Sequence, residues 1–194
     1  MACEIRQPGL ATTVQDLGRI GHYALGFPQG GAMDQESARL ANALVGNGPD
    51  AAVLECAYMG PVIVMTSPVD IAVTGAPIEV RVNGEARPAW TRLHLETGDE
   101  LSFGVIQGGT RFFIALRGGV DVPPALGSRS TYAIGGIGGV DGRALRAGDV
   151  VETLPPSRPL PDLDRIDEGD RPVFAREQEV RIMFGLYDHL LSGE

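Results

Sequence analysis

Alternating apolar and polar residues recur in short runs between Cys3 and Arg117. A period of two is typical of β-strands that bury one face, so the pattern indicates a mostly β domain. Asn83 and Gly84 separate two runs and predict a tight hairpin, because both residues tolerate a positive φ. ETGDE at 96–100 predicts a similar connection. The predicted strands are Cys3–Arg6, Thr12–Asp16, Ala52–Ala57, Pro61–Thr66, Val69–Thr74, Ile78–Val82, Thr91–Leu95, Leu101–Val105 and Phe112–Arg117.

One segment, Asp34–Val45, has the apolar spacing of an amphipathic helix. Asp34 can cap its first amides, Glu36 suits the positive end of the helix dipole, and Gly46 ends it. A single main helix among many strands favours a small β-barrel or a strongly bent sheet plugged by the helix, because an open sheet would leave its edges unprotected.

The chain divides into three predicted parts. Residues 1–154 form the β-barrel domain, and 155–172 is an acidic, proline-rich linker. Residues 173–194 contain one strand signal and one helix-like turn, which makes them a tail or the start of a truncated second half. Because the apolar side chains of this tail would be unfavourable in water, we expect it to dock on the barrel or on a second copy of the chain.

Composition excludes several function classes. A net charge of −9 argues against nucleic acid or an anionic membrane as the main partner. All 16 basic residues are arginine, so Schiff-base catalysis and the lysine of a phosphate-binding loop are absent from this chain. The first residues lack the features of a signal peptide and no apolar run is long enough to span a membrane, which predicts a cytoplasmic protein.

The cysteines and histidines predict no metal centre. Cys3 and Cys56 lie far apart, and the three histidines are scattered along the chain. Neither a disulfide framework nor the ligand spacing of a zinc site is present in this pattern. No serine or cysteine has the neighbours of a catalytic nucleophile, so a self-contained hydrolase is weakly supported.

Two polar clusters occur early in the chain. Gln15, Asp16 and Arg19 follow a predicted strand, where functional groups are often presented, although Asp16 and Arg19 could simply form a salt bridge in a turn. The second cluster, Gly30 and Gly31, leads into the predicted helix. Helix starts attract anions, but Asp34 can occupy this one as a cap.

Two further clusters occur late in the chain. LGSRSTY at 126–132 places Arg129 among three hydroxyls, an arrangement suited to a carboxylate, a carboxyphosphate or an amide, or to a polar β-turn. GGIGGVDGRALRAGD at 135–149 lacks the spacing of a nucleotide-binding loop and favours a lid or a tightly turned barrel rim. Glu55 is the notable acid in an apolar run. Burial would raise its pKa and suit it to carry a proton, whereas on an alternating strand it would face solvent.

Six blocks resemble one known family in order and spacing: PGLATTVQDLGRIGH, GFPQGGAMDQESARLANALVGN, LECAYMGP, TGAP, RGGVDVPPALGSRSTY and GGIGGVDGRALRAGD. The family is the biotin-dependent carboxyltransferase group that includes KipA, the C subunit of 5-oxoprolinase and allophanate hydrolase subunit 2. The resemblance covers about Pro8 to Asp149, which corresponds to the N-terminal half of the family. It implies a cyclophilin-like β-barrel fold.

The resemblance also implies a function in a complex. The leading interpretation is a subunit of an ATP-dependent 5-oxoprolinase-type amidohydrolase, which converts 5-oxoproline to glutamate with a KipI-like subunit and a third, LamB/YcsF-like subunit. ATP would be bound by the complex, and this chain alone would bind no cofactor and be inactive. One alternative is the carboxyltransferase component of a biotin-dependent urea or amide carboxylase. Another is a KipA-type regulator that binds a KipI-like kinase inhibitor.

We assign site roles from the residue patterns and from the family resemblance. Asp16, Glu55 and Arg129 are the expected catalytic residues. Arg129, with the hydroxyls beside it, would hold a carboxylate or a phosphorylated intermediate, and the resemblance adds Asn47 and the residues at the helix start. The expected substrate-binding residues are Gln15, Arg19, Gly30, Gly31, Asp34, Asn47, Ser128, Ser130 and Thr131.

Overall fold

A computed structural model describes residues 2–173 and, after them, 175, 177, 179, 181, 183 and 185. This part of the chain is mostly β with one main helix, as the sequence predicts. The strands are β1 (Ala2–Gln7), β2 (Ala11–Gln15), β3 (Val53–Ala57), β4 (Val62–Met65), β5 (Val69–Gly75), β6 (Val80–Val82), β7 (Glu85–Arg87), β8 (Arg92–Leu95), β9 (Glu100–Phe103), β10 (Arg111–Leu116) and β11 (Val150–Glu152). The helix α1 is Gln35–Leu44, and two short 3-10 helices are Tyr23–Leu25 and Glu168–Asp170.

The strands form two antiparallel sheets. One has six strands in the order β11-β1-β4-β9-β6-β7, and the other has five in the order β2-β3-β10-β5-β8. Asn83 and Gly84 have φ of 53° and 80° and form the predicted hairpin turn between β6 and β7. The ETGDE segment instead carries the chain from β8 in one sheet to β9 in the other, so these two strands are not a hairpin.

The two sheets enclose a common apolar core. Every second side chain along a strand points into the space between the sheets. The residues that meet there are almost completely excluded from water. Each large side chain buried in this way contributes about 1.5–3 kcal/mol to stability. The largest members include Ile5, Ile63 and Leu101 from the six-stranded sheet and Leu54, Phe112 and Ile114 from the five-stranded sheet.

The helix lies on the outer face of the five-stranded sheet. Its apolar stripe packs against side chains of β3, β5 and β10 that point away from the common core, and together they form a second cluster. The expectation that the helix plugs the barrel is therefore wrong. The reason is that side chains alternate between the two faces of each strand. Val53 and Phe113 alternate with inward-facing residues and form part of an apolar outer face, which the helix covers.

The predicted linker, 155–172, has no strand and lies against the domain. Arg92 donates from Nη1 to the carbonyl oxygen of Pro161 at 3.0 Å. Ile166 is buried, and its N–H donates to the carbonyl oxygen of Trp90 at 2.8 Å. The domain boundaries remain predictions. The predicted docking of 173–194 concerns apolar residues that lie outside the described part of the chain.

None of the helices in the described residues is long and apolar enough to cross a membrane.

Candidate functional site

The Asp16 carboxylate connects the end of β2 to the segment 128–130. Its Oδ1 atom accepts hydrogen bonds from the Ser128 and Ser130 hydroxyls at 2.6 and 2.5 Å and from the N–H of Gly18 at 2.7 Å. Its Oδ2 atom accepts from the backbone N–H of Arg129 at 2.5 Å. The first and third predicted clusters therefore form one network, with a single carboxylate at its centre.

These hydrogen bonds determine the charge state of Asp16. Burial on its own would raise the pKa of the carboxyl, but four hydrogen bonds to the ionised form outweigh it and the pKa is lowered. An ionised carboxylate whose oxygens accept four internal hydrogen bonds is suited to positioning a loop. No ion pair joins it to Arg19 in the part of the chain that the structure describes, so the turn salt bridge considered from the sequence is absent there.

The hydroxyls of Ser128, Ser130 and Thr131 have partners within the protein. Ser128 and Ser130 donate to Asp16, and Thr131 donates from Oγ1 to the carbonyl oxygen of Val14 at 3.1 Å. Their protons are therefore engaged in holding the segment. Arg129 differs from them, because its side chain is half-buried and its Nε has no hydrogen-bond partner among the described residues.

Gln15 lies next to this segment. Its side-chain amide donates to the carbonyl oxygen of Thr131 at 3.3 Å and to Oγ1 of Thr13 at 3.0 Å. Its Oε1 atom is buried and accepts no hydrogen bond within the described residues. A buried acceptor without a donor is unfavourable, so this oxygen is available to a ligand N–H or to water.

Arg19 is buried between three segments of the site. Its Nη2 atom donates to the carbonyl oxygen of Ser130, and its backbone N–H donates to the carbonyl oxygen of Gln29 at 2.8 Å. A β-carbon added at Gly30 would lie 3.3 Å from its Nη1 atom, and one at Gly138 would lie 3.0 Å from Nη2. The guanidinium thus lies between two glycine backbones.

Gly31 allows two loops to cross. It has φ of +92°, and a β-carbon there would lie 2.8 Å from both the Gly18 nitrogen and the Leu17 carbonyl carbon. Ala32, which follows it, donates from its N–H to the carbonyl oxygen of Asp16 at 2.8 Å. A side chain at Gly31 would separate these backbones, so the second predicted cluster lies directly against the first.

Glu55 reaches the loop before the helix. Its Oε2 atom accepts from the N–H of Met33 at 2.7 Å, and its Oε1 atom lies 3.3 Å from Nε of Arg111. Burial raises the pKa of this carboxyl, and the Met33 N–H and Arg111 only partly offset that effect. The sequence did not identify Met33 or Arg111, because a backbone donor and the first residue of a strand carry no distinctive pattern.

Asp34 acts as the helix cap. Its Oδ1 atom accepts from the Ser37 N–H at 3.0 Å, and its Oδ2 atom accepts from the Ser37 hydroxyl at 2.5 Å. Asn47 lies beyond the other end of the helix, where its amide donates to the carbonyl oxygen of Leu116 and its Oδ1 atom accepts from the Gly118 N–H. The structure does not bring Asn47 together with the other predicted site residues.

The glycine-rich segment 135–149 packs against the arginine-bearing loop. The N–H of Gly139 donates to the carbonyl oxygen of Arg129 at 2.9 Å. Arg143 and Asp149 form an ion pair at 2.7 Å that closes the segment on itself. The fourth predicted cluster therefore joins the other three, as part of the wall beside Arg19.

An apolar loop lies immediately after the Asp16 network. Ile20, Tyr23 and Leu25 are 75, 68 and 68% exposed. Phe27, at the end of this loop, makes an edge contact with Tyr132, with ring centroids 6.5 Å apart. The predicted clusters do not include this loop, although three large apolar residues without strand or helix periodicity were an available signal in the sequence.

The chain is similar to known proteins of one family. A family model described as "Carboxyltransferase domain, subdomain A and B" matches residues 25–194. Urea amidolyase of Lachancea kluyveri is 42% identical over 151 residues, which cover 77% of this chain and 8% of the relative. The C subunit of 5-oxoprolinase from Escherichia coli is 40% identical over 148 residues, covering 75% of this chain and 47% of the relative.

Solved structures agree with this result. The crystal structure of Kluyveromyces lactis urea carboxylase matches with a TM-score of 0.82 and 37% identity, over 90% of this chain and 16% of that one. The chain therefore spans less than half of the length of each of these three proteins.

Proposed function

The chain belongs to the family of carboxyltransferase domains, subdomains A and B, and on this premise we propose that it is one subunit of an ATP-dependent 5-oxoprolinase-type amidohydrolase. The complex would open the lactam of 5-oxoproline to give glutamate. The relative from Escherichia coli is itself named as a subunit of 5-oxoprolinase.

One observation carries this proposal: Nε of Arg129 has no hydrogen-bond partner in the part of the chain that the structure describes, and Asp16 holds its loop in place. A guanidinium is planar, always ionised and matched to a carboxylate by paired hydrogen bonds. 5-Oxoproline has a carboxylate, whereas urea is neutral. A preorganised arginine therefore favours the organic acid as the substrate.

Two other groups have the chemistry that a lactam requires. The buried Oε1 of Gln15 could accept the hydrogen bond of a lactam N–H, which would give that oxygen the donor it lacks. Glu55 has a raised pKa because it is buried, and a carboxyl that stays protonated nearer neutrality can transfer a proton to a leaving nitrogen. Asp16 then acts as a positioning residue for Arg129.

ATP chemistry would come from other subunits in this proposal. The chain has no lysine that could approach the phosphates of a nucleotide, and its glycine-rich segment lacks the nucleotide-loop spacing. A KipI-like subunit and a LamB/YcsF-like subunit are the proposed partners. The exposed apolar loop with Ile20, Tyr23 and Leu25 is the surface that we propose one of them covers.

Reconstitution tests the proposal. The chain is combined with the two partner subunits, and the ATP-dependent conversion of 5-oxoproline to glutamate is measured. We expect turnover only when all components are present. Arg129→Ala should lower kcat/KM about 10- to 150-fold, because losing a hydrogen bond to a charged group costs about 1.5–3 kcal/mol. Arg146→Ala, which removes an exposed arginine of the adjacent segment, is the matched control and should retain activity.

Normal turnover by Arg129→Ala would remove the role of that residue. No turnover of 5-oxoproline by the wild-type assembly would refute the function itself.

A second candidate is favoured by the identity to urea amidolyase and by the structural match to urea carboxylase. In that case the chain would be part of a carboxyltransferase acting on urea or a related amide, with carboxybiotin delivered by another domain. Biotin-dependent carboxylation of urea by the assembled complex, without 5-oxoproline turnover, would establish this alternative.

A further inference from the structure

We propose that Arg19 binds a planar oxyanion, the carboxylate of a small organic acid or a carboxyl group in transfer, at the site described above. The inference rests on the proposed function, because it names the ligand group that this site recognises. It adds a second arginine to Arg129 in recognising the charge of the ligand, and glycine segments lie against this second arginine.

The burial of Arg19 is the first observation. Its side chain is among the largest of the fully buried residues and is 1% exposed. A guanidinium remains charged at all pH values at which a protein is folded. Placing such a charge in the interior costs several kcal/mol unless an opposite charge and hydrogen bonds compensate it.

The compensation within the described residues is incomplete. Only Nη2 has a partner, the carbonyl oxygen of Ser130, whereas Nε and Nη1 are buried and donate to nothing. No carboxylate of that part of the chain lies within ion-pair distance of Arg19. The side chain therefore has the charge and the free N–H groups for an anion.

The nearby hydroxyls and carboxylate do not meet this need. Asp16 directs its oxygens to Gly18 and to residues 128–130, and the hydroxyls of Ser128 and Ser130 donate back to it. This network carries the loop whose Ser130 carbonyl orients Arg19. Asp16 is thus occupied on its own side of the loop, and no carboxylate among the described residues supplies the negative charge that would compensate Arg19, which we assign to a ligand.

Glycine backbones lie directly against the guanidinium of Arg19. Gly30 and Gly138 approach its Nη1 and Nη2 atoms, and both have a positive φ, of 62° and 69°. Because neither has a β-carbon, a small shift of either segment would uncover the N–H groups without moving a side chain. A carboxylate can accept two parallel hydrogen bonds from one planar guanidinium, and we therefore assign a planar oxyanion to Arg19.

Binding is measured on the full chain alone, by calorimetric titration with 5-oxoproline, with 2-pyrrolidinone, which is the same ring without the carboxylate, and with bicarbonate. We expect 5-oxoproline to bind at least about tenfold more tightly than 2-pyrrolidinone, because only the acid can pair with the guanidinium. A tenfold ratio in Kd corresponds to about 1.4 kcal/mol. Competition by bicarbonate would indicate a carboxyl group in transfer as the natural ligand, and its absence a substrate carboxylate. Equal binding of the acid and the neutral ring overturns the proposal.

Two variants attribute the effect to Arg19. Arg19→Gln should lower the preference for the acid about tenfold, while Arg129 retains its own contribution. A second variant leaves the buried arginine in place: Gly30→Ala puts a methyl group 3.3 Å from Nη1 and should weaken binding of the acid at least about tenfold, while Gly26→Ala, also at positive φ but in open space, should not. Wild-type affinity in Gly30→Ala and in a folded Arg19→Gln would exclude the site.

This test is separate from that of the proposed function. The titrations need neither ATP nor partner subunits, so anion binding could be present in a complex that fails to turn over 5-oxoproline. Conversely, full turnover and an unchanged KM in Arg19→Gln would remove Arg19 and leave the proposed reaction intact.

Discussion

Replacing Asp16 by Asn tests whether this carboxylate organises the site. The amide keeps one acceptor oxygen, which can retain the bonds at Oδ1. At the position of Oδ2 an NH2 group would face the N–H of Arg129, so one charge-assisted bond is lost and two donors meet. Losing a hydrogen bond to a charged group costs about 1.5–3 kcal/mol. With the weakening of the bonds that remain, we expect a loss of about 3 kcal/mol.

The assay is unfolding followed by circular dichroism at neutral pH. For a chain of this size, about 2–4 °C in Tm corresponds to 1 kcal/mol, so Asp16→Asn should lower Tm by about 6–12 °C. Asp121→Asn is the control, because Asp121 is exposed. The second measurement is Tm as a function of pH below neutrality.

The direction of the pH effect follows from the lowered pKa of Asp16, which hydrogen bonds cause against the opposing effect of burial. Its contribution to stability is fully present above the ordinary Asp pKa of about 3.9 and is lost as the pH falls through the folded-state value. The variant should therefore lose less stability on acidification than the wild type. Equal Tm values at neutral pH and parallel acid profiles would refute the assigned role.

Three further predictions concern the same region and the core. Gly31→Ala should lower the free energy of unfolding by more than about 2 kcal/mol. Gly21→Ala is the control, because Gly21 has a similar φ but nothing within 4 Å, and its smaller loss measures the cost of φ alone. Equal denaturant midpoints for the two variants would contradict the crossing of the loops. Burial raises the pKa of Cys3 to about 12 and that of Cys56 even further, so a thiol reagent should label both only on unfolding, and rapid labelling of the native protein would show that they are accessible. Burial also raises the pKa of Glu55, so its contribution to stability is present below the ordinary Glu pKa of about 4.3 and falls as the pH rises through the folded-state pKa. Glu55→Gln should therefore gain stability relative to the wild type over that range. A difference in stability that stays constant with pH would contradict this.

The sequence predicts the strands well because their signal is local. Each of the nine predicted runs overlaps a strand, and the cap at Asp34 is where the pattern places it. The predicted runs omit β7, whose three residues are all exposed and show no alternation, and β11, which has a single buried residue. The position of the helix could not be predicted, because the pattern that makes Val53 and Phe113 apolar is the same for an inner and an outer face.

The sequence predicts the candidate site only as separate clusters, and their convergence needed the structure. Residues such as Asp16 and Ser130 are 114 positions apart in the chain, and no local pattern relates them. Asn47 shows the opposite limit. The family resemblance suggested a place for Asn47 at the site, but the helix carries the chain away from its capped end, at a rise of about 1.5 Å per residue.

The crossing loops also make residues 20–28 a separable unit. Backbone hydrogen bonds join Arg19 to Gln29 and Ala32 to Asp16. The two ends of the excursion, which is the loop 20–28, are therefore held together at a fixed base. Sequence and length in the excursion can therefore diverge while the arginine below it keeps its place, and the same anion-recognising base can be combined with different outer surfaces. A family that works in several assemblies could change its associations by exchanging this one loop.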